Sequence, residues 1–311
     1  MSQTTIPVLD VSRFHHDKAA FVTDLGAAYQ AWGFAGITGH GIDMAVIQDA
    51  LAVSAEFFSL PEAVKKQYFY DNGGTRGYTP MGTEIAKNAT HVDLKEFWHV
   101  GREVPGTAPF PQLTPNVWPT EVPAFKPAMQ ALFSALDRLA NELLQAFALF
   151  LGEAEDYFFE RVQWGNSILR PLHYPPITDQ SLPNVRAGAH EDINLITLLV
   201  GSEQEGLEVL STSGEWTGIS MIEGTIICNV GDMLQRLCNH RLPSTTHRVV
   251  NPKGPAGQVS RYSIPFFVHP NPDMSLDALP QCVSVDNPKR YEPILAHDYL
   301  MQRLREIGLI K

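Results

Sequence analysis

Gly188-Ala189-His190-Glu191-Asp192-Ile193-Asn194-Leu195-Ile196-Thr197-Leu198-Leu199-Val200-Gly201 is the stretch on which the reading of this chain turns. Its second half is a dense apolar run bounded by glycines, which reads as a buried strand. Its first half sets an imidazole and a carboxylate two residues apart at the strand's mouth. On extended backbone, positions i and i+2 face the same side, so His190 and Asp192 are expected to converge while Glu191 points away. Two readings without a metal stand beside this one: a hydrogen-bonded histidine, or an aspartate capping the strand.

The His-x-Asp pattern alone decides nothing, because two further copies occur. His15-His16-Asp17 precedes a helical pattern, in which Asp17 reads as the N-cap of the segment from Lys18. His91-Val92-Asp93 lies in the polar region from Lys87 to Lys95, with no apolar face behind it. Only His190-Glu191-Asp192 runs into an apolar strand.

A third ligand has to come from another strand. Thr225-Ile226-Ile227-Cys228-Asn229-Val230 is apolar and β-branched and ends in the turn Gly231-Asp232. Ser244-Thr245-Thr246-His247-Arg248-Val249-Val250 begins another strand, stopped by Asn251-Pro252. The residues between Asp192 and His247 suffice for several strands, enough to wind once around a small barrel and return. His240 is the rival ligand, but it lies in a turn, where a solvated role fits better. Two histidines and one carboxylate with open positions form the donor set of non-haem Fe(II) that activates oxygen.

Val259-Ser260-Arg261-Tyr262-Ser263-Ile264-Pro265-Phe266-Phe267-Val268 reads as the next strand, with Arg261 and Ser263 on one face. The bland reading is a surface arginine on an edge strand. Ile264, Phe266 and Phe267 instead mark a buried element, where arginine needs a partner. A planar guanidinium takes a carboxylate through two bonds, and a hydroxyl adds a third.

Further pieces complete a pattern: Ile6-Pro7-Val8-Leu9-Asp10, the run from Trp32-Gly33-Phe34 to Gly41-Ile42, Phe57-Phe58-Ser59-Leu60-Pro61, Arg76-Gly77-Tyr78, Tyr174-Pro175-Pro176, Gly206-Leu207-Glu208-Val209 and Asn229-Val230-Gly231-Asp232. In this order and spacing the chain resembles the iron- and 2-oxoglutarate-dependent oxygenases. The nearest branch is that of isopenicillin N synthase and the plant flavonoid and gibberellin oxygenases. The resemblance implies a mixed α and β fold, a double-stranded β-helix (a jelly-roll, cupin-like barrel) wrapped by N-terminal and C-terminal helices. It implies Fe(II) on His190, Asp192 and His247, and 2-oxoglutarate held by Arg261, Ser263 and the hydroxyl of Tyr174. With O2, a small molecule would be hydroxylated or desaturated while 2-oxoglutarate is decarboxylated to succinate and CO2.

Two departures from the family pattern stand out. The interval from His247 to Arg261 is longer than in many members, the excess falling in the turn-rich Asn251 to Gln258, where a longer hairpin loop absorbs it. Leu172-His173 replaces the asparagine and tyrosine common in plant members, so the asparagine's contact to the co-substrate is missing and His173 reads as structural. Relatives build the substrate pocket partly from the N-terminal region, which makes Arg76, Tyr78, Glu84, Phe97, Trp98, Trp164 and Phe267 candidates. Two other readings share these residues. In an isopenicillin N synthase-like oxidase, Arg261 and Ser263 would hold the substrate's own carboxylate and no 2-oxoglutarate would be used. In a non-catalytic barrel or sensor, the site would hold zinc or nothing.

The expected organisation is an N-terminal helical and extended region (1–125), a long supporting helix (126–160), the barrel core (161–272) and a C-terminal extension with a helix (273–311). Helical patterns run from Phe21 to Trp32, closed by Gly33, from Ile42 to Phe58, from Pro127 to Leu151, and from Pro293 to Ile310, the last expected over the pocket mouth. Ser59-Leu60-Pro61-Glu62 reads as the start of a short helix. With 311 residues, 44% of them hydrophobic, the chain has ample core. A net charge of -11 without basic blocks argues against nucleic acid and anionic membranes as partners. No leader pattern or spanning apolar run is present, and Cys228, Cys238 and Cys282 lack metal-type spacing. A reducing cytoplasm is the expected location, and a monomer or weak dimer the expected state.

Overall fold

The computed structural model describes residues 6–70, 75–83, 93–104, 106–177, 186–201, 206–211, 213–219, 224–251 and 254–306. Two sheets face each other. The larger runs β1 (Val8–Asp10), β2 (Phe34–Thr38), β11 (Ile226–Val230), β8 (Ile196–Val200), β13 (Arg261–Val268), β5 (Ile168–Leu169), β4 (Glu96–Gly101) and β3 (Gly77–Thr79), with β6 (Leu172–Tyr174) paired to β13 and β4. The smaller runs β10 (Trp216–Gly218), β9 (Leu207–Leu210), β12 (His247–Val249) and β7 (Ala187–His190). Successive strands β7, β8 and β9 alternate between the two sheets, the jelly-roll winding of a double-stranded β-helix.

The large sheet is buried on both faces, and strand parity sorts its residues. Ile196, Leu198 and Val200 of β8, Cys228 and Val230 of β11, and Ile264, Phe266 and Val268 of β13 join the core shared with the helices. The alternate positions Thr197, Leu199, Asn229, Arg261, Ser263, Pro265 and Phe267 line a cavity between the sheets. A single period of two therefore builds core on one side and site on the other.

The helical jacket is α1 (Lys18–Trp32), α2 (Met44–Phe58), α3 (Glu62–Lys65), α4 (Phe125–Leu151), α5 (Phe159–Val162), α6 (Asp232–Leu237) and α7 (Ala296–Glu306). The long helix starts two residues before Pro127, because proline is tolerated in a first turn whose amides have no helical acceptor. Asp43, not Ile42, sets the start of α2: its Oδ1 accepts the Ala45 amide at 2.9 Å. Asp17 occupies the cap position of α1, but its carboxylate turns to Arg13 at 3.0 Å. Ser59 closes α2 rather than opening α3, its hydroxyl donating to the Glu56 carbonyl at 2.7 Å.

The stretch from His190 to Val200 is not one strand. His190 ends β7 in the small sheet, and the chain turns a corner before β8 begins in the large one. The first turn of α6 holds this corner: the Asp232 and Met233 amides donate to the carbonyls of Asp192 (2.9 Å) and Asn194 (3.1 Å). Those amides have no acceptor within their own helix, so the corner satisfies them.

Gly33 joins α1 to β2 at φ +66°, and a Cβ there would lie 2.3 Å from Thr245 Oγ1 and 2.6 Å from the Pro243 carbonyl. Gly41 has a similar φ of +64° but open space around it. Gly41→Ala is expected to cost about 1 kcal/mol from backbone strain alone. Gly33→Ala should cost at least about 1 kcal/mol more, through the clash. Urea denaturation measures both, and equal losses would mean that the segment leading into β12 simply yields.

Candidate metal centre

β7 and β12 pair antiparallel with His190 opposite His247, so both imidazoles project into the cavity as cross-strand neighbours. Their ring centroids lie 4.4 Å apart. Asp192 arrives from the corner, its Oδ1 3.8 Å from His190 Nε2 and 3.9 Å from His247 Nε2. The three ligand atoms fall within 4.8 Å of one another. The expected convergence of His190 and Asp192 is present, brought about by a bend rather than by strand alternation.

Each side chain has its outer atom occupied and its inner atom left toward the others. His190 Nδ1 meets the Gly188 carbonyl at 2.8 Å and His247 Nδ1 that of Thr245 at 3.1 Å, which fixes the tautomer with the lone pair on Nε2. Asp192 Oδ2 accepts from Thr197 Oγ1 at 2.6 Å and Asn229 Nδ2 at 2.8 Å, leaving Oδ1 inward. Asn194 Nδ2 donates in turn to Thr197 Oγ1 at 2.8 Å. Phe34 packs edge-on to the His247 ring at 5.3 Å. Burial, then the like charge of His247, pulls His190 down to about 4 and keeps it neutral. Burial pushes Asp192 up, but His247, His190 and the two donors outweigh it, and it ends below its ordinary value. Two imidazoles with Nε2 turned inward and one carboxylate, preset in orientation, fit a divalent transition metal with open positions.

The residues expected to seat an anion lie on β13 and β6. Register places Arg261 opposite Tyr174 and Ser263 opposite Leu172. Arg261 is 2% exposed, hydrogen-bonded to the Tyr174 side chain, with its guanidinium 5.1 Å from that ring's centroid. Burial pulls the guanidinium below its usual range.

Of the candidate substrate residues, Phe267 lines the cavity. Arg76 does not: it is buried, donating to the carbonyls of Thr114 (3.2 Å) and Thr75 (2.6 Å) and to Asn166 Oδ1 (2.8 Å). That guanidinium pins a loop. Tyr78 points its hydroxyl at Glu96, Trp98 packs on Phe57 in the core, and Trp164 gives its amide to Asn271. Phe97 packs with Leu172 and Tyr174 beside the cavity without lining it. Glu84 and His91 lie outside the described residues. Asp93 is buried, accepting the Gly188 amide at 3.1 Å, so it braces β7. His240 leaves the metal centre alone and bonds Tyr291 at 2.6 Å. No described residue of α7 lines the cavity. Tyr299 and Arg303 instead bind Asp232 Oδ2, each at 3.0 Å, whose amide holds the Asp192 carbonyl.

Sequence reasoning missed Arg170 and Lys95 on the cavity wall, and Thr197 and Asn229 as supports of Asp192. The available signal was polarity out of place: Asn229 and Thr197 are the polar residues of otherwise apolar strands. His173 finds its role in a buried network. It stacks between Tyr262 (4.9 Å) and Phe58 (5.6 Å), with Nδ1 at 2.7 Å from Glu96 and Nε2 at 3.0 Å from Ser260 Oγ. Glu96 also accepts from Lys65 at 2.8 Å and from Tyr78. The network locks β4, β6 and β13 together beside Tyr174 and Arg261.

Comparison with known proteins agrees with this geometry. Residues 6–121 match the N-terminal family model of the non-haem dioxygenases in morphine synthesis, and residues 165–270 match the 2OG-Fe(II) oxygenase superfamily. A 2-oxoglutarate-Fe(II) type oxidoreductase of Emericella nidulans is 33% identical, over 96% of this chain and 89% of its own. A 2OG-Fe(II) oxygenase family protein from Caulobacter crescentus superposes with a TM-score of 0.91 at 46% identity, covering 99% and 100% of the two chains. A full-length Neurospora crassa protein, solved in complex with alpha-KG (2-oxoglutarate) and thymine, gives 0.85 at 32% identity, covering 96% of each. The chain belongs to the 2OG-Fe(II) oxygenase superfamily. It is an Fe(II)- and 2-oxoglutarate-dependent oxygenase.

Asn229→Leu should weaken Fe(II) binding about ten-fold or more by releasing Asp192 Oδ2; an unchanged affinity in anaerobic metal titration would deny Asn229 that role. Glu96 carries a pH prediction. Burial raises it, but its donors, His173 first, hold it below its ordinary 4.5. Its contribution is therefore fully present above that value and drains away as pH falls through the folded value. Glu96→Gln should be less stable than the parent at neutral pH by about 3 kcal/mol, since Lys65 keeps a buried charge. In urea melts at stepped pH that gap should close toward acid, and a constant gap would rule the carboxylate out as its source.

Proposed function

We propose that His190, Asp192 and His247 hold the ferrous iron and that Arg261, Ser263 and Tyr174 seat the distal carboxylate of 2-oxoglutarate. We further propose that the substrate is a small, flat molecule bearing a carbonyl or carboxylate group, hydroxylated or desaturated beside the metal. Bound iron supplies the oxygen activation that couples decarboxylation of 2-oxoglutarate to oxidation of a C–H bond. The chain's own contribution is placement and dryness. The inward face of β13 runs from Arg261 and Ser263 at one end to Phe267 at the other, Ser263 and Phe267 lying about 13 Å apart at the rise of a strand. Phe34, Leu199, Leu207 and Val249 wall the space between the sheets with apolar surface.

Arg170 carries the substrate reading. It lines the cavity with its guanidinium 4.9 Å from the ring centroid of Phe267 and 4.6 Å from that of Phe97. Two aromatic faces hold a planar cation beside the space left for substrate, while Lys95 on the same wall is already paired with Asp93 at 2.9 Å. Such a wall favours oxygen acceptors and disfavours amines. The Neurospora crassa protein was crystallised with thymine, a flat ring bearing two carbonyls, which supports the same class. The cavity is small, with about 80 Å³ open to the centres of water-sized molecules, which suits a small substrate rather than a polymer. Among the described residues no helix is long and apolar enough to cross a membrane. The three cysteines are buried free thiols, which supports placement in a reducing cytoplasm.

The test is succinate formation by anaerobically Fe(II)-loaded enzyme after oxygen is admitted, across a panel of ring carbonyls, ring carboxylates and cationic amines. Ring acceptors should stimulate turnover, and Arg170→Met should lower their kcat/KM about ten-fold or more while uncoupled 2-oxoglutarate turnover persists. Stimulation by amines instead, or indifference to Arg170→Met, would refute the substrate class.

A further inference from the structure

Arg186 is fully buried, and nothing in the reaction described so far uses it. Its Nη2 donates to the Val259 carbonyl at 3.3 Å, a long bond, and its Nε and Nη1 meet no acceptor among the described residues. Its guanidinium carbon lies 5.8 Å from the centroid of Tyr174, the ring that Arg261 also overlies at 5.1 Å. Two guanidiniums thus share one aromatic ring. The charges that act on Arg186 are those of Arg261 and Tyr174, with no carboxylate of the described residues among them. Burial, then the like charge of Arg261, pulls Arg186 down to about 10, so it remains a cation at neutral pH. A buried cation with two idle donors beside a second buried cation is a costly arrangement that an anion relieves.

We propose that Arg186 is a second cationic arm of the co-substrate seat, so that the distal carboxylate of 2-oxoglutarate is taken by Arg186 and Arg261 together. The inference rests on Arg261, Ser263 and Tyr174 being that seat. A carboxylate has about four lone-pair sites, enough to accept from both guanidiniums, Ser263 and Tyr174. Arg186 immediately precedes β7, which delivers His190, so the same strand carries a co-substrate contact and a metal ligand. The arrangement makes the enzyme selective for 2-oxo acids that carry a second carboxylate.

Anaerobic calorimetry on Fe(II)-loaded protein tests this, with 2-oxoglutarate and separately with pyruvate, which shares the 2-oxo acid end but lacks the distal carboxylate. R186Q keeps a donor for the Val259 carbonyl and removes the charge. It should bind 2-oxoglutarate about ten-fold or more weakly while its pyruvate affinity stays near the parent's. R186K should retain more 2-oxoglutarate affinity than R186Q. Unchanged 2-oxoglutarate binding by R186Q, or equal losses for both acids, would overturn the inference. R261Q separates the two levels. If R261Q weakens 2-oxoglutarate and R186Q does not, Arg186 is structural and the seat stands; if neither does, the seat itself is misassigned. Should R186Q not fold, R186K decides, because loss of the planar fork must cost 2-oxoglutarate more than pyruvate, and equal losses overturn the proposal.

Discussion

The pairing of His190 with His247 across β7 and β12 is the constraint on which the site depends. A cross-strand pair fixes the distance between two side chains by the geometry of backbone hydrogen bonds, so the metal's bite is a dimension of the sheet rather than of two rotamers. Asp192 then needs only a corner to reach the same point. The first turn of α6 supplies that corner by giving its unused amides to the carbonyls of Asp192 and Asn194. Orientation comes from outside: Gly188, Thr245, Thr197 and Asn229 each hold an outer atom so that the inner one faces the ion.

The same economy shapes the large sheet. Because β8, β11 and β13 are buried on both faces, alternate residues serve the helical core and the cavity without any strand being dedicated to either. The helices hold the sheet from behind, with α4 as their spine. The Glu96 network performs a polar version of that task, tying β4 to β6 and β13 where Tyr174, Arg261 and Ser263 must stay in register. A buried carboxylate with three donors suits the purpose because each of its bonds is directional, whereas an apolar core only fills space.

Much of this was legible in the sequence, and the limits have physical causes. Strand periodicity exposed β8, β11 and β13, and residue type with i, i+2 spacing picked out His190, Asp192, His247, Arg261 and Ser263, which the fold brings to one cavity. The corner at Asp192 was invisible because an apolar run following a turn looks like one continuous strand. Arg76, Tyr78 and Trp164 seemed fit for a pocket because arginines and aromatic residues near a motif do so generically; whether a guanidinium faces a ligand or a carbonyl depends on tertiary packing. Arg170 and Lys95 were overlooked for the converse reason: nothing in their local sequence marks chemistry, and only the fold carries them to the cavity.

The attachment of α7 has a consequence of its own. Tyr299 and Arg303 grip the side chain of Asp232, and the amide of Asp232 grips the backbone of Asp192, so a short chain of hydrogen bonds runs from the last described helix to the lone acidic ligand of the metal centre. Docking or peeling of that helix would register as a change in how firmly the carboxylate is presented. The terminal helix thereby acts as a tensioning strut for the metal centre.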